Sequence, residues 1–291
     1  DDEFVENVKV FFCGLSKNSD EILIKNLEFL ENYIIHVKFD SNLIIVDSDS
    51  NNEIKELLSN KSKNNVKITS INEDNLDVTI PSRIKRIAYC RNLCLKIVYE
   101  NNDKLNKIYI PCDLDVDLFS HINFGFLDDL ISQSVKHENS FALFPVSIPK
   151  YYDILALRSQ NWVNFNSQLV NSKFKKIIKI GSFFWNYLFV FRYQWTVEKI
   201  RKRKVKIISA FGGIAIYNIS ALNEKVFYDY SKSNTEFISE HLSFNYYFSE
   251  KKMDTNWIVK APQEHIYFHT LSRSEKINYF FKTLKYDIGL S

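Results

Sequence analysis

The sharpest chemical feature of the sequence is Asp113-Leu114-Asp115, which directly follows the apolar run Lys107-Ile-Tyr-Ile-Pro111-Cys112. In an extended or tight-turn backbone, residues i and i+2 point the same way, so both carboxylates can face one divalent cation. Hard oxygen ligands suit Mg²⁺ or Mn²⁺, which keep coordination positions open for substrate phosphates. The competing use is a pair of solvated acids in a surface turn. Asp47 and Asp49 form a second pair of this kind, after Leu43-Ile-Ile-Val46. Arg83, Arg86 and Arg91 share one helical stretch. A guanidinium donates two hydrogen bonds at once and so suits a diphosphate; a solvated basic face, or ion pairs with Glu73 and Asp74, would use the same residues. Glu240 is a candidate general base for a hydroxyl proton, or else a solvated acid at a helix end beside His241.

The elements that position these residues can be read from hydrophobic periodicity. Val8–Phe12 reads as a buried strand, Cys13-Gly14 as a turn, and Leu23, Leu27 and Leu30 mark an amphipathic helix after the caps Ser19 and Asp20. Leu43–Val46 is a second strand, Ile54–Leu58 a helical stretch, and Val66–Ser70 a third strand. Ile84, Ile87, Ala88, Arg91, Leu95 and Val98 repeat at helical spacing, which predicts a helix over Ser82–Tyr99. Lys107–Pro111 is a fourth strand, ending at the Asp pair. Strands alternating with helices predict an α/β fold with a mostly parallel sheet and helices on both faces. In such sheets ligands bind outside the carboxyl ends of the strands, where both Asp pairs fall. Further on, Phe141–Pro145 reads as a strand, and Lys206–Tyr217 as two short apolar runs around Gly212 and Gly213. Those glycines allow close approach to a ligand, or a bulge or tight corner in the sheet.

Composition narrows the class. At 291 residues, 45% hydrophobic and 15% aromatic, the chain can bury a sizeable core. Its charge is uneven: between Lys173 and Lys206 there are eleven Lys or Arg and one acid, Glu198, giving +10 against +3 for the whole chain, so the rest carries −7. One basic segment on an acidic chain predicts an anionic surface or partner, not a nucleic-acid groove. With Phe183, Trp185, Phe189 and Trp195 interleaved, the segment 173–206 reads either as a peripheral membrane contact or as core packing. The four cysteines form no disulfide framework, which predicts a cytoplasmic location, peripheral on a membrane if that segment docks. The chain opens at Asp1, as a piece of a longer protein would.

Taken together, several segments resemble the GT-A glycosyltransferases, in particular a bacterial and viral group related to the fungal capsule mannosyltransferase family. They are Cys13-Gly-Leu-Ser-Lys-Asn18, Asp47-Ser-Asp-Ser50, Arg91-Asn92, Asp113-Leu-Asp115, Tyr151-Tyr-Asp-Ile-Leu-Ala-Leu-Arg158, Ser209-Ala-Phe-Gly-Gly-Ile-Ala-Ile-Tyr217 and Ser239-Glu-His241. Leu155 stands where the group has an aromatic residue, and Ser159 where an acid often follows the Arg. The resemblance implies one GT-A (Rossmann-like) domain over 1–291: a nucleotide-sugar-binding half at 1–117, an acceptor half at 118–291, and a helical basic-aromatic insertion at about 163–205. It implies a metal-dependent transferase moving a sugar from a nucleotide-sugar donor to a glycan or lipid-linked acceptor. Donor-binding residues would be Gly14, Asp47, Asp49, Arg83, Arg91, Asn92, Asp113 and Asp115. Asp113, Asp115 and His269 (alternatively His265) would hold Mn²⁺ or Mg²⁺. Glu240 and Asp153 would be catalytic, and Arg158, Gly212 and Gly213 would face the acceptor; Asp153 and Arg158 could instead pair with each other.

Two other functions share the Asp-x-Asp signal. A haloacid-dehalogenase-type phosphatase uses the first Asp as nucleophile, but that motif opens its domain, whereas three strand signals precede Asp113 here. A catalytically inactive glycosyltransferase-like binding module would have no need of Asp113, Asp115 and Glu240 together.

Overall fold

The computed structural model describes residues 7–17, 21–120, 122–136, 141–148, 151–159, 162–163, 207–222, 224–229, 239–248 and 250–260, together with Ser274. The basic-aromatic segment 173–206, His265 and His269 lie outside the described residues, as does all but the first residue of the expected insertion at 163–205.

The chain opens with β1 (Val8–Ser16), α1 (Glu21–His36), β2 (Asp40–Ser48), α2 (Asn52–Asn64) and β3 (Ile68–Glu73). A single turn, α3 (Leu76–Thr79), leads into α4 (Arg83–Glu100), β4 (Asn106–Asp113) and α5 (Phe124–Lys136). The later elements are β5 (Phe141–Ile148), β6 (Arg158–Ser159), β7 (Ile207–Ser209), β8 (Ile216–Asn218), α6 (Glu240–Asn245) and β9 (Glu250–Lys260).

Among the described residues seven strands form one sheet, in the order β3-β2-β1-β4-β8-β5-β9. All its pairings are parallel except those of β8, which runs antiparallel to both β4 and β5. The four consecutive parallel strands are covered on both faces, which is why they read as continuous apolar runs rather than alternating ones. On one face α4 packs Ala88, Cys94, Leu95 and Val98 against Phe11, Cys13, Ile44 and Tyr109. On the other, α1 and α5 pack Leu23, Leu27, Leu130 and Ile131 against Val10, Phe12, Ile45 and Ile110. The α/β class with helices on both faces is therefore as expected.

Three boundaries differ from the sequence expectation. Cys13-Gly14 is not a turn: β1 continues to Ser16, and Gly14 lies between Ile45 of β2 and Cys112 of β4. The glycine is needed there for close packing rather than for reversal. The third strand starts at Ile68, because Val66 is 95% exposed and contributes nothing to the core. Phe141–Pro145 extends to Ile148, stabilised by parallel pairing with β9, a partner more than a hundred residues away. All four cysteines are buried and unbridged. Among the described residues no helix is long and apolar enough to cross a membrane.

Candidate functional site

From β1 the chain builds outward through β2 to β3, then returns to the other side of β1 as β4. That reversal makes a topological switch point between β1 and β4, and ligands bind outside the carboxyl ends of strands at such a point. Asp113 is the last residue of β4, paired with Leu15 of β1. The chain then turns at Leu114 and Asp115. Leu114, Val116 and Leu118 are buried, while Asp113, Asp115 and Asp117 are half-buried.

Glycines let this segment sit close to its neighbours. A Cβ added at Gly14 would come within 2.2 Å of Leu114 Cδ1, so the side chain between the two aspartates is seated directly on Gly14. Gly213, at φ +90°, accepts a hydrogen bond from the Asp113 amide at 2.9 Å, and a Cβ at Gly212 would meet the Pro145 carbonyl oxygen at 2.4 Å. The Gly pair is thus a tight corner wedged between β5 and the end of β4. Gly14→Ala should cost about 1–3 kcal/mol in urea denaturation through overpacking. Combined with Leu114→Ala the loss should be less than additive; strict additivity would show that the two do not touch.

Arg91 is the centre of the cluster. It occupies a core position in the apolar stripe of α4, 2% exposed, where the periodicity alone would place a hydrophobe. Its Nη2 donates to Asp113 Oδ1 at 2.8 Å and its Nε to Glu240 Oε1 at 3.3 Å. The guanidinium lies over the Phe211 ring at 5.0 Å and the Tyr228 ring at 5.9 Å. Burial opposes its charge, but Asp113, Tyr228 and Glu240 outweigh that and keep it protonated. Glu240 begins α6 and is 8% exposed, so it is not the solvated helix-end acid of the alternative reading. Beside it His241 is fully buried and stacked on Phe211 at 3.8 Å. Burial, followed by the charge of Arg91, pushes its pKa well down and keeps the ring neutral.

Two carboxyls near Glu240 carry raised pKa values. Asp113 is raised to about 6, chiefly by burial and then by Asp115 and Glu240, with Arg91 opposing. Asp153 is raised to about 7 by burial and the charge of Glu240. Its Oδ1 accepts from the Leu155 and Ala156 amides at 3.0 and 3.3 Å, a local turn that fixes its position. Tyr152 donates its hydroxyl to Asp113 Oδ2 at 3.2 Å, a contact that nothing in the sequence marked beyond its place beside Asp153.

Other expected site residues have tasks within the fold. Asp47 is fully buried, its Oδ1 accepting from the Ser50 hydroxyl at 2.5 Å, and so caps the loop after β2 instead of opening onto a ligand. Asp49, at φ 58°, accepts from the amides of Leu76 and Asp77 and lies 3.7 Å from Lys17 Nζ. Asn92 pairs both its amide groups with the Tyr228 backbone, at 3.0 and 2.8 Å, which holds that ring against Arg91. Arg158 is buried and donates to the Leu155 and Leu157 carbonyls, so the acceptor contact expected of it gives way to bracing the Asp153 turn. Arg86 likewise binds the Ile80 and Pro81 carbonyls. Arg83 is exposed at the start of α4, close enough for its charge to act on Tyr152.

Asp113 and Asp115 suit a hard divalent cation. Asp113 and Glu240 share the buried guanidinium of Arg91, and the charges of Asp115 and Glu240 also act on Asp113, a gathering of acids that a cation would offset. Among the described residues no group of three or more His, Cys, Asp or Glu converges as a complete metal site. A cation held by two carboxylates completes its shell with water and substrate phosphates, the usual pattern for Mg²⁺.

No family model matches the chain, and no curated protein does. Solved structures with a similar layout include Staphylococcus aureus TarS (TM-score 0.47, 11% identity, covering 97% of this chain and 72% of that one). Galactosyltransferase LgtC, in complex with donor and acceptor sugar analogues, gives a TM-score of 0.42 at 11% identity over 84% of this chain and 72% of that one. Glucosyl-3-phosphoglycerate synthase from Mycobacterium tuberculosis, in complex with UDP, gives 0.42 at 10% identity over 100% of this chain and 83% of that one. At these scores the likeness is one of overall layout.

Proposed function

We propose that the protein is a metal-dependent glycosyltransferase that binds a nucleotide-sugar donor at the β1/β4 switch point and passes the sugar to a hydroxyl acceptor, a glycan or lipid-linked glycan. The observation that carries this reading is the link from Asp113 through Arg91 to Glu240, which joins a cation-binding strand end to a candidate base in one buried cluster. Asp113 and Asp115 would hold Mn²⁺ or Mg²⁺, which when bound neutralises charge developing on the departing diphosphate. Arg83, exposed at the mouth, can meet a phosphate. Tyr152 and Arg91 fix the orientation of the Asp113 carboxylate from both of its oxygens. Glu240, or Asp153 with a pKa near neutrality, can take the acceptor proton. The phosphatase alternative is disfavoured because its Asp-x-Asp motif opens its domain, whereas β1, β2 and β3 precede Asp113 here.

Thermal shift with UDP, GDP and CDP, each with and without Mn²⁺, tests the reading. Metal and nucleotide together should stabilise the wild type by about 2.7 kcal/mol at a hundredfold excess over Kd. Asp115→Asn should fold normally and lose the shift. The metal-dependent shift should also weaken as pH falls through about 6, since a protonated Asp113 no longer attracts a cation. Stabilisation by phosphate mimics with metal, but not by nucleotide, would point to the phosphatase; stabilisation by neither would point to an inactive module.

A further inference from the structure

We infer that Asn26, on the opposite face of the sheet from Arg91, is a positioning residue that sets the backbone carrying Asp113 and Asp115. Its Nδ2 donates to the carbonyl oxygens of Leu114 at 2.9 Å and Val116 at 2.6 Å, bridging 88 and 90 residues of sequence. Asn26 is 2% exposed and sits among Leu23, Leu27 and Leu30 on the buried face of α1. An amide in such a stripe costs stability unless it is hydrogen-bonded, and a leucine would fill the space without that cost. Both of its N–H donors go to the Asp-x-Asp turn.

The geometry explains why one amide suffices. Past Asp113 the chain leaves the strand and turns at Leu114 and Asp115, which brings the Leu114 and Val116 carbonyls within reach of a single NH₂ group. The segment is then restrained from three directions: Asn26 holds its carbonyls, Gly14 seats the Leu114 side chain, and Gly213 accepts from the Asp113 amide. Val116 O also accepts from the Leu118 amide at 2.8 Å, closing the turn just beyond Asp115. Asp115 lies past the end of β4, within the segment whose carbonyls Asn26 holds. Asn26 touches no ligand; it acts through the two carboxylates.

The ligand side of this inference rests on the transferase reading, whereas the clamp does not, so the test reads both. Asn26→Leu keeps the apolar packing and removes both donors; Asn26→Ser keeps one donor and serves if the leucine variant fails to fold. Amide hydrogen exchange over 114–118 should accelerate by about tenfold or more in Asn26→Leu, with β1 unchanged, and less in Asn26→Ser. Mn²⁺-dependent UDP or GDP affinity, measured well below the melting temperature, should fall by about tenfold. A purely structural residue would lower the melting temperature and leave that affinity alone. Unchanged exchange in either folded variant overturns the clamp. Faster exchange with wild-type affinity overturns the positioning role. A wild type that binds no nucleoside diphosphate with Mn²⁺ overturns the ligand side together with the transferase reading, and the exchange data still decide the clamp.

Discussion

Replacing Arg91 with Met is expected to cost about 3–5 kcal/mol of stability at pH 7.5, because it leaves a buried ion pair without its cation. The guanidinium is the shared partner of Asp113 at 2.8 Å and Glu240 at 3.3 Å, and methionine returns neither hydrogen bond. The loss should shrink on acidification. Asp113 is already raised to about 6 with Arg91 beside it, and removing that positive charge raises it further. A carboxyl raised above its unfolded value carries its penalty above the folded pKa and sheds it as pH falls through that value. The gap between wild type and variant, from urea melts, should therefore be larger at pH 7.5 than at pH 5. Arg91→Lys should fall between them, since an ammonium keeps the charge but lacks the planar fork that reaches both acids. A gap that is small, or the same at both pH values, would mean that Asp113 and Glu240 do not depend on Arg91.

Glu240→Gln should lower turnover by about 10²–10⁴-fold while leaving donor affinity nearly unchanged, as expected when proton removal is lost only in the transition state. Glutamine keeps the shape of the side chain and can still accept from Arg91 Nε, so the cluster should stay assembled. Steady-state kinetics with a nucleotide-sugar donor, alongside direct measurement of donor affinity, separates the outcomes. Loss of donor affinity would place Glu240 in the donor pocket. Normal turnover in Glu240→Gln with loss in Asp153→Asn would pass the base role to Asp153, whose pKa near 7 suits it.

The local sequence was enough to recognise β1 to β4 and the helices α1, α2 and α4 between them, though not α3 or α5, because each of those recognised is one stretch whose apolar spacing is visible within a dozen residues. Val8–Phe12, Leu43–Val46 and Lys107–Pro111 lie within β1, β2 and β4, and Ser82–Tyr99 matches α4 to within a residue at each end. The Asp113-Leu-Asp115 pair was legible as two acids at a strand end, and the structure sets Asp115 in the turn that follows β4. Tertiary structure alone decided what those residues face. Arg91 read as a donor-facing residue on a helix, yet it is buried between Asp113, 22 residues away, and Glu240, 149 residues away. Asn26 carried no signal at all, being one polar residue in an apolar stripe until the turn at Leu114 is folded against it. Gly14 read as a turn because glycine is permissive; only the approach of Leu114 shows that the missing side chain is what matters. Periodicity encodes which face of an element is buried. The partner of a buried polar group is set by crossovers and sheet order, which bring distant segments together and leave no local trace.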